Sequence, residues 1–427
     1  MTATHATPAS RASASAISHA ARVLATLKPG LHADTALRNY FAYWHRLDPR
    51  EKRAITHATF VYFRWLQWLD RKATPQKQIA AALDLQTRFD ANPSTIKTEA
   101  LAALAVPDWT HAELTAPWPP ETLRHLQRTP ALWIRARSTG LKPAGIFDSR
   151  FSIFDWSTFA PFRTWRDSAQ SKIVPRPKAD IPPNPKSKIS ANDQPAPDNL
   201  HLPATAYRYT GTEDLFHTPE FHQGLFEIQD IASQLVAHAC APAPGQTWWD
   251  ACAGEGGKTL HLADLMQNKG LIWASDRSHR RLQTLKRRAA RAKVFNYRAA
   301  AWDGSAQLPT KTKFDGILLD APCTGLGTWQ RNPHARWTTT PADIRELAAI
   351  QTQLLAHAAP ALKPAGRLIY AVCTLTRSET TAIADALTAT HPALAPAPVF
   401  PTAPAQLTLW PHDLNGNGMF IAAWRRK

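Results

Sequence analysis

A chain of 427 residues carrying 50 lysines and arginines against 33 aspartates and glutamates, a formal charge of +17, is too long for one ordinary core and far more basic than a small-molecule enzyme requires. Two domains with linkers, and a polyanionic partner such as nucleic acid, are expected. Four cysteines without a Cys-x-x-Cys pair argue against a disulfide framework and a zinc site and suit reduced thiols in a cytoplasm, and no apolar run approaches the ~20 residues of a membrane-spanning helix.

The segment before Asp34, the first acidic residue, is rich in alanine, serine and arginine, a composition shared by organellar transit peptides and by a helical domain starting near Ile17. From Ser18 to Ala105 the pattern is helical. Leu37, Tyr40, Phe41 and Trp44 fall at i, i+3, i+4 and i+7, and Asp48-Pro49-Arg50-Glu51 supplies an N-cap, a proline at N1 and a glutamate at N3 for a helix starting at Pro49. Two apolar stripes on that helix, Ile55/Tyr62/Leu66/Leu69 and Val61/Trp65/Trp68, predict burial around most of its circumference. Residues 16–110 therefore read as a helical module. Residues 111–204 read as a linker with an insert, in which aromatic residues from Phe151 to Trp165 pack on a neighbouring domain or stack on bases, and a Pro/Lys run follows. Over residues 205–427 apolar strands at 247–251, 271–275, 294–298, 314–319 and 366–372 alternate with helices starting near Gly257, Ser278 and Pro341. This alternation predicts a doubly wound, mostly parallel α/β sheet with ligands at the carboxyl ends of its strands.

The stretch Asp250-Ala-Cys-Ala-Gly-Glu-Gly-Gly-Lys-Thr259 sets Gly254, Gly256 and Gly257 between a strand and a helix, where backbone N–H groups approach a ligand with no Cβ in the way. It lacks the spacing of a Walker A loop, and a cofactor's tail carboxylate suits it better than a phosphate. The next strand ends in Asp276, placed to take both ribose hydroxyls of an adenosine cofactor, NAD included. Asp303, after the third strand, can accept from an adenine amino group. Seven cations from Arg277 to Arg291 give the intervening helix a face that is either solvated or in contact with phosphates.

Asp320-Ala-Pro-Cys323 and Tyr370-Ala-Val-Cys373 each end an apolar strand, which brings Asp320, Cys323 and Cys373 to the crevice beside the cofactor. A thiolate is suited to add to the electron-poor C6 of a pyrimidine, and the addition makes C5 a nucleophile towards a methyl sulfonium. The thiols of Cys240 and Cys252 read as small buried apolar groups.

The blocks at 250–259, 320–333 and 370–379, with Gly-Leu-Phe-Glu-Ile-Gln-Asp-Ile-Ala-Ser at 224–233 and Gly-Met-Phe-Ile-Ala at 418–422, resemble the RNA 5-methylcytosine methyltransferases of the RsmB/Nop/NSUN family. The resemblance covers nearly all of the chain after Phe221. It implies a Rossmann-like methyltransferase domain preceded by an all-helical NusB-like RNA-binding module. The cofactor it implies is S-adenosylmethionine, held by Cys252, Ala253, Gly254, Glu255, Gly256, Gly257, Lys258, Asp276, Asp303 and Asp320. The implied reaction forms 5-methylcytosine in ribosomal or transfer RNA, in the cytoplasm, with no membrane and no obligate protein partner. Cys373 would be the attacking thiol and Cys323 the group that assists breakdown of the adduct. Asp320 would stabilise or deliver the proton at N3, and Lys258 would lower the thiol pKa by its charge or act as a base when neutral.

The sequence departs from the family pattern at Glu255, at Tyr370-Ala-Val-Cys-Thr, which loses two hydroxyls around the nucleophile, and at Gln330, where an arginine is usual. The upstream Leu-Arg-Val-Asn segment stands here as Ile134-Arg-Ala-Arg137. A non-catalytic RNA-binding assembly factor of the same fold is the main competing reading, and the intact Cys323, Cys373 and Asp320 argue against it. A Rossmann oxidoreductase is disfavoured by the missing Gly-x-Gly-x-x-Gly.

Overall fold

Along β5 (Thr247–Asp250), Trp248 and Trp249 point to opposite faces and both are buried, so this strand must be covered on two sides. The computed structural model describes residues 8–137, 151–153 and 205–427 and places β5 inside a large mixed sheet. Strands β6 (Leu271–Asp276), β7 (Tyr297–Ala301), β8 (Phe314–Asp320) and β9 (Leu362–Val372) run parallel with β5. β12 (Met419–Arg426) is antiparallel to β9, and β10 (Leu394–Pro396) and β11 (Gln406–Leu409) are antiparallel to β12. The strand order is β10-β12-β9-β8-β5-β6-β7. The order of connection reverses between β5 and β8, which opens a crevice at the carboxyl ends of those two strands.

Helices Ile231–Cys240 and Gly257–Leu265 cover the Trp248 face, and Pro341–Ala358 and Thr381–Thr390 cover the Trp249 face. Gly316 on β8 makes room for Trp248, because a Cβ there would lie 2.3 Å from the indole. The helix His279–Arg291 turns Leu282, Leu285 and Ala289 inward, and its remaining cations stay outside.

A second, antiparallel sheet precedes this domain, formed by β1 (Leu132–Ala136), β2 (Phe151–Ile153), β3 (Ala206–Tyr209) and β4 (Phe226–Ile228) in the order β2-β3-β1-β4. It is tied to the larger sheet by charge. Arg135 and Arg137 on β1 both pair with Asp264 of the helix Gly257–Leu265, all three side chains being almost wholly buried.

The N-terminal helices are Pro8–Ala25, Ala33–Tyr43, Pro49–Arg64, Pro75–Ala91 and Thr98–Leu104. At the start of the third, Asp48 Oδ1 accepts from the N–H groups of Arg50 and Glu51 at 2.7 and 2.8 Å, and Glu51 Oε2 accepts from Asp48 N at 2.9 Å, the capping box that the sequence spells. Ile55, Val61, Phe63 and Trp65 are buried.

Folded structure continues beyond residue 110, into the stretch expected as linker, through helices Thr110–Glu113 and Pro120–His125 and then β1. Elements this short carry no readable period. They are fixed instead by Leu114, Trp118, Leu123 and Leu126, which share one core with Leu326, Trp329 and Leu375 of the two cysteine loops. The strand expected at 294–298 lies at 297–301, because Val294 closes the preceding helix by donating to Ala289 O at 2.9 Å. The aromatic cluster and the Pro/Lys run of the insert lie outside the described residues, apart from the backbone of β2.

Candidate active site

The carboxyl end of β5 delivers Asp250 to the floor of the crevice. Its Oδ2 accepts from Thr259 Oγ1 at 2.6 Å, its Oδ1 is buried without a partner, and burial pushes its pKa up to about 7. The loop then turns through Gly254 (φ +56°) and Gly256 (φ +87°). At Gly256 a Cβ would also strike Leu285 at 2.7 Å, whereas at Gly254 it would point into open space, the side left for a ligand. Asp276 at the end of β6 braces the loop, accepting from Gly254 N at 3.0 Å and from Ser278 N at 2.7 Å. Asp303 follows β7, whose Ala301 pairs with Asp276, and its exposed carboxylate accepts from Ser305 N at 2.9 Å. Ala253 is held by its N–H on Ser275 O at 2.8 Å, and Cys252 backs onto the Trp249 core. Glu255 is exposed, and it is its carbonyl that is engaged, by Arg288 at 3.1 Å.

From the helix that follows, Lys258 Nζ donates to Asp320 Oδ2 at 2.6 Å. Burial pulls the ammonium pKa down, but the carboxylate and its hydrogen bond outweigh this and the net shift is upward. Lys258 is therefore a fixed positive charge, and of the two roles open to it the neutral base is the one disfavoured. The thiols of Cys323 and Cys373 lie 3.4 Å apart, hydrogen-bond distance and far beyond the ~2.05 Å of a disulfide. The hydrogen bond between the thiols holds Cys373 below its ordinary pKa against burial and the Asp320 carboxylate, both of which raise it, and the charges of Lys258 and Arg331 support the lowering. The same bond raises Cys323. The two thiols are thus shifted in opposite directions, Cys373 being the one that ionises more readily.

Glu379, fully buried, clasps the two loops. Its Oε1 accepts from Thr324 N at 2.9 Å and Gln351 Nε2 at 3.1 Å, and its Oε2 from Thr376 Oγ1 at 2.8 Å, Thr374 Oγ1 at 3.3 Å and the hydroxyl of Thr324. Thr324 and Thr374 each follow a cysteine, so this one carboxylate ties the two cysteine loops together. Gly327 N adds a bond to Cys373 O at 3.0 Å. Sequence reasoning places Glu379 inside a motif block without a role; the threonines and the glutamate crowded after Cys373 were the available signal.

The departures from the family pattern also find places. Ala371 and Val372 are buried in β9, and Gln330 donates to His125 O at 3.2 Å, joining the cysteine loop to the helical region. Arg137 is spent on Asp264 and on two backbone carbonyls, Gly224 O and Ala292 O. Cys240 donates to Val236 O at 3.3 Å, and burial raises its pKa. Among the described residues no group of three or more His, Cys, Asp or Glu is placed to hold a metal ion.

Residues 237–425 match a family model described as 16S rRNA methyltransferase RsmB/F. A probable ribosomal RNA small subunit methyltransferase B of Synechocystis is 33% identical over 298 residues, 64% of this chain and 66% of that protein. One of the same description from Bacillus subtilis is 35% identical over 219 residues, 48% and 49% of the two chains. The chain thus spans between about half and two thirds of these relatives. The crystal structure of PH0851 superposes with a TM-score of 0.70 at 21% identity, over 99% of this chain and 100% of that one. A methyltransferase homologue from Pyrococcus horikoshii does so at 0.50 and 23%, over 72% and 90%. At such identities these two speak for the fold, a Rossmann-like methyltransferase sheet. The motif blocks at 250–259, 320–333 and 370–379 thus converge on one crevice, within the residues 237–425 that match the RsmB/F methyltransferase model, and over this part the chain is similar to methyltransferases of that description.

Proposed function

We propose that the protein transfers the methyl group of S-adenosylmethionine to C5 of a cytosine in RNA, with ribosomal RNA as the substrate class suggested by the relatives' descriptions. The observation that carries this reading is the Cys323–Cys373 pair beside Lys258–Asp320 at the ends of β8 and β9. The glycine loop fits the cofactor: it is open at Gly254, and the Asp276 and Asp303 carboxylates keep acceptor capacity for a ribose and an amino group. When bound, S-adenosylmethionine supplies an electrophilic methyl group.

The chain's own residues do the rest. Cys373 as thiolate bonds to C6, pushing the C5=C6 electron pair towards N3, where Asp320 stabilises or delivers the proton that neutralises the ring. With the methyl group on C5 and the donor sulfonium left as a neutral thioether, the C5 proton would pass to water or to Cys323 in its thiolate form and the N3 proton back to Asp320, and the re-forming C5=C6 bond would expel the Cys373 thiolate, 3.4 Å from Cys323. C6 is shielded in a stacked helix, so the target base must be unpaired or flipped. The N-terminal helices serve in this reading as a NusB-like RNA-binding module, and the working compartment is the cytoplasm. Among the described residues no helix is long and apolar enough to cross a membrane.

Denaturing electrophoresis with labelled RNA tests the scheme. Cys373→Ala should abolish both methylation and any covalent adduct, whereas Cys323→Ala should trap a protein–RNA species that survives denaturation. Adduct accumulation in Cys373→Ala would reverse the two roles, and unchanged methylation in both variants would exclude thiol addition.

A further inference from the structure

The helix Pro49–Arg64 sets Lys52, Thr56 and Phe60 at i, i+4 and i+8, with Arg53, His57 and Arg64 beside them, so all six share one stripe. That stripe walls a cavity of about 450 Å³, closed opposite by the Thr129-Pro130 turn, by Asp214 and His217 after β3, and by Arg331 of the cysteine loop. The size lies within the ~300–1,000 Å³ of ligand pockets.

The cleft gathers cations that, among the described residues, lack a carboxylate partner. Arg288 and Arg291 are spent on Glu227, Arg135 and Arg137 on Asp264, and Arg336 on the carbonyls of Ala105 and Leu126. Among the described residues no carboxylate stands within ion-pair distance of Lys52, Arg53 or Arg331. Arg64, buried, donates to Gln86 Oε1 at 2.9 Å and leaves its Nε without a partner. The single carboxylate lining the cavity, Asp214, is turned to His217, 3.8 Å away. Positive groups gathered around one concavity repel one another unless an anion enters. Arg331 also connects the cleft to the chemistry, since its charge is among those that lower the pKa of Cys373.

We propose that this cleft is the track of the RNA backbone flanking the target cytosine, with Lys52, Arg53 and Arg331 on phosphates and Phe60 offering a ring to an unstacked neighbouring base. The proposal rests on the methyltransferase reading. A base drawn out of its stack leaves the adjoining nucleotides splayed, and a cationic slot that shares Arg331 with the segment after Cys323 supplies the hold they lose. An RNA strand brings regularly spaced phosphates and bases together, which suits a slot lined by both cations and an aromatic ring better than an acidic peptide does.

The test uses the full chain and a fluorescein-labelled RNA hairpin with an unpaired cytosine, titrated by anisotropy over a range of salt. The double variant Lys52→Ala/Arg53→Ala should bind about ten-fold more weakly and flatten the slope of log affinity against log salt by about 1.4, ~0.7 for each phosphate no longer neutralised. Arg331→Ala should flatten it by about half as much. S-adenosylmethionine affinity and thermal midpoint should stay at wild-type values in the double variant. RNA affinity and slope unchanged in all cleft variants, with the effect appearing instead in Arg280→Ala/Lys286→Ala on the exposed arginine helix, would overturn the proposal and leave the methyltransferase reading standing. Loss of polyglutamate binding with RNA affinity intact would assign the cleft to an acidic protein segment and overturn it as well. A wild-type chain that binds no RNA would remove the reading beneath it.

Discussion

Glu379 offers a way to separate what holds the thiols from what the thiols do. In Glu379→Ala the Thr324 N–H loses the partner it has among the described residues, and Gln351 Nε2 is left with its bond to Pro322 O at 2.8 Å. Each stranded buried donor costs about 1–3 kcal/mol, and the threonine hydroxyls can turn elsewhere, so the variant should lose about 3 kcal/mol and several degrees of thermal midpoint. Glu379→Gln can keep its oxygen towards the two N–H donors and point its amide at three rotatable hydroxyls, at a cost of about 1 kcal/mol. The diagnostic readout is the pH dependence of iodoacetamide alkylation, followed on the Cys373 peptide by mass spectrometry. Wild-type Cys373 should titrate below its ordinary value because Cys323 donates to it. Glu379→Ala should move that midpoint up, and Glu379→Gln should hold it near wild type. A Glu379→Ala protein that melts early but keeps the wild-type midpoint would show that the clasp serves the fold and does not set the thiol spacing.

The large sheet was legible because its central strands are largely buried on both faces and read as mostly apolar runs ending in Asp250, Asp276 and Asp320. Where that logic misled, at Val294-Phe295, the apolar pair ends a helix: Val294 is buried against it and Phe295 is 75% exposed. The small sheet was not legible, since β1 to β4 are three to five residues long and draw on positions from 132 to 228, leaving no local period. Arg137 stands out in the sequence only as a departure from the family's Leu-Arg-Val-Asn segment. Asp264, a carboxylate set among Leu260, Leu262 and Ala263, was the signal of a buried cation partner, and only the three-dimensional register of β1 against that helix identifies it. Glu379 escaped for a related reason. Thr-Leu-Thr-Arg-Ser-Glu has the polarity of a surface turn, yet every oxygen in it that faces Glu379 is buried, and three further donors come from Thr324 and Gln351.

Asp276→Ala should weaken S-adenosylmethionine binding by about 1–3 kcal/mol by calorimetry, and an unchanged affinity would take Asp276 out of the cofactor site. Asp264→Asn removes the charge that two buried guanidiniums share and should cost about 3–5 kcal/mol in urea unfolding; a loss below about 1 kcal/mol would mean that Gln229 suffices for Arg135 and the backbone carbonyls for Arg137. Asp250 supplies a pH dependence of defined sign. Its pKa is raised from 3.8 to about 7 in the folded chain, so between those values the folded state retains a proton that the unfolded state has released. Its contribution is present at low pH and fades as pH rises through about 7, a loss of order ~4 kcal/mol at most, from ~1.4 kcal/mol per pKa unit. Asp250→Asn should retain the bond from Thr259 and abolish the titration, so its urea stability relative to wild type should increase between about pH 5 and about pH 8. A difference between variant and wild type that stays constant over that interval would mean that Asp250 is ionised throughout, and that its unpartnered Oδ1 is solvated in a way its burial contradicts.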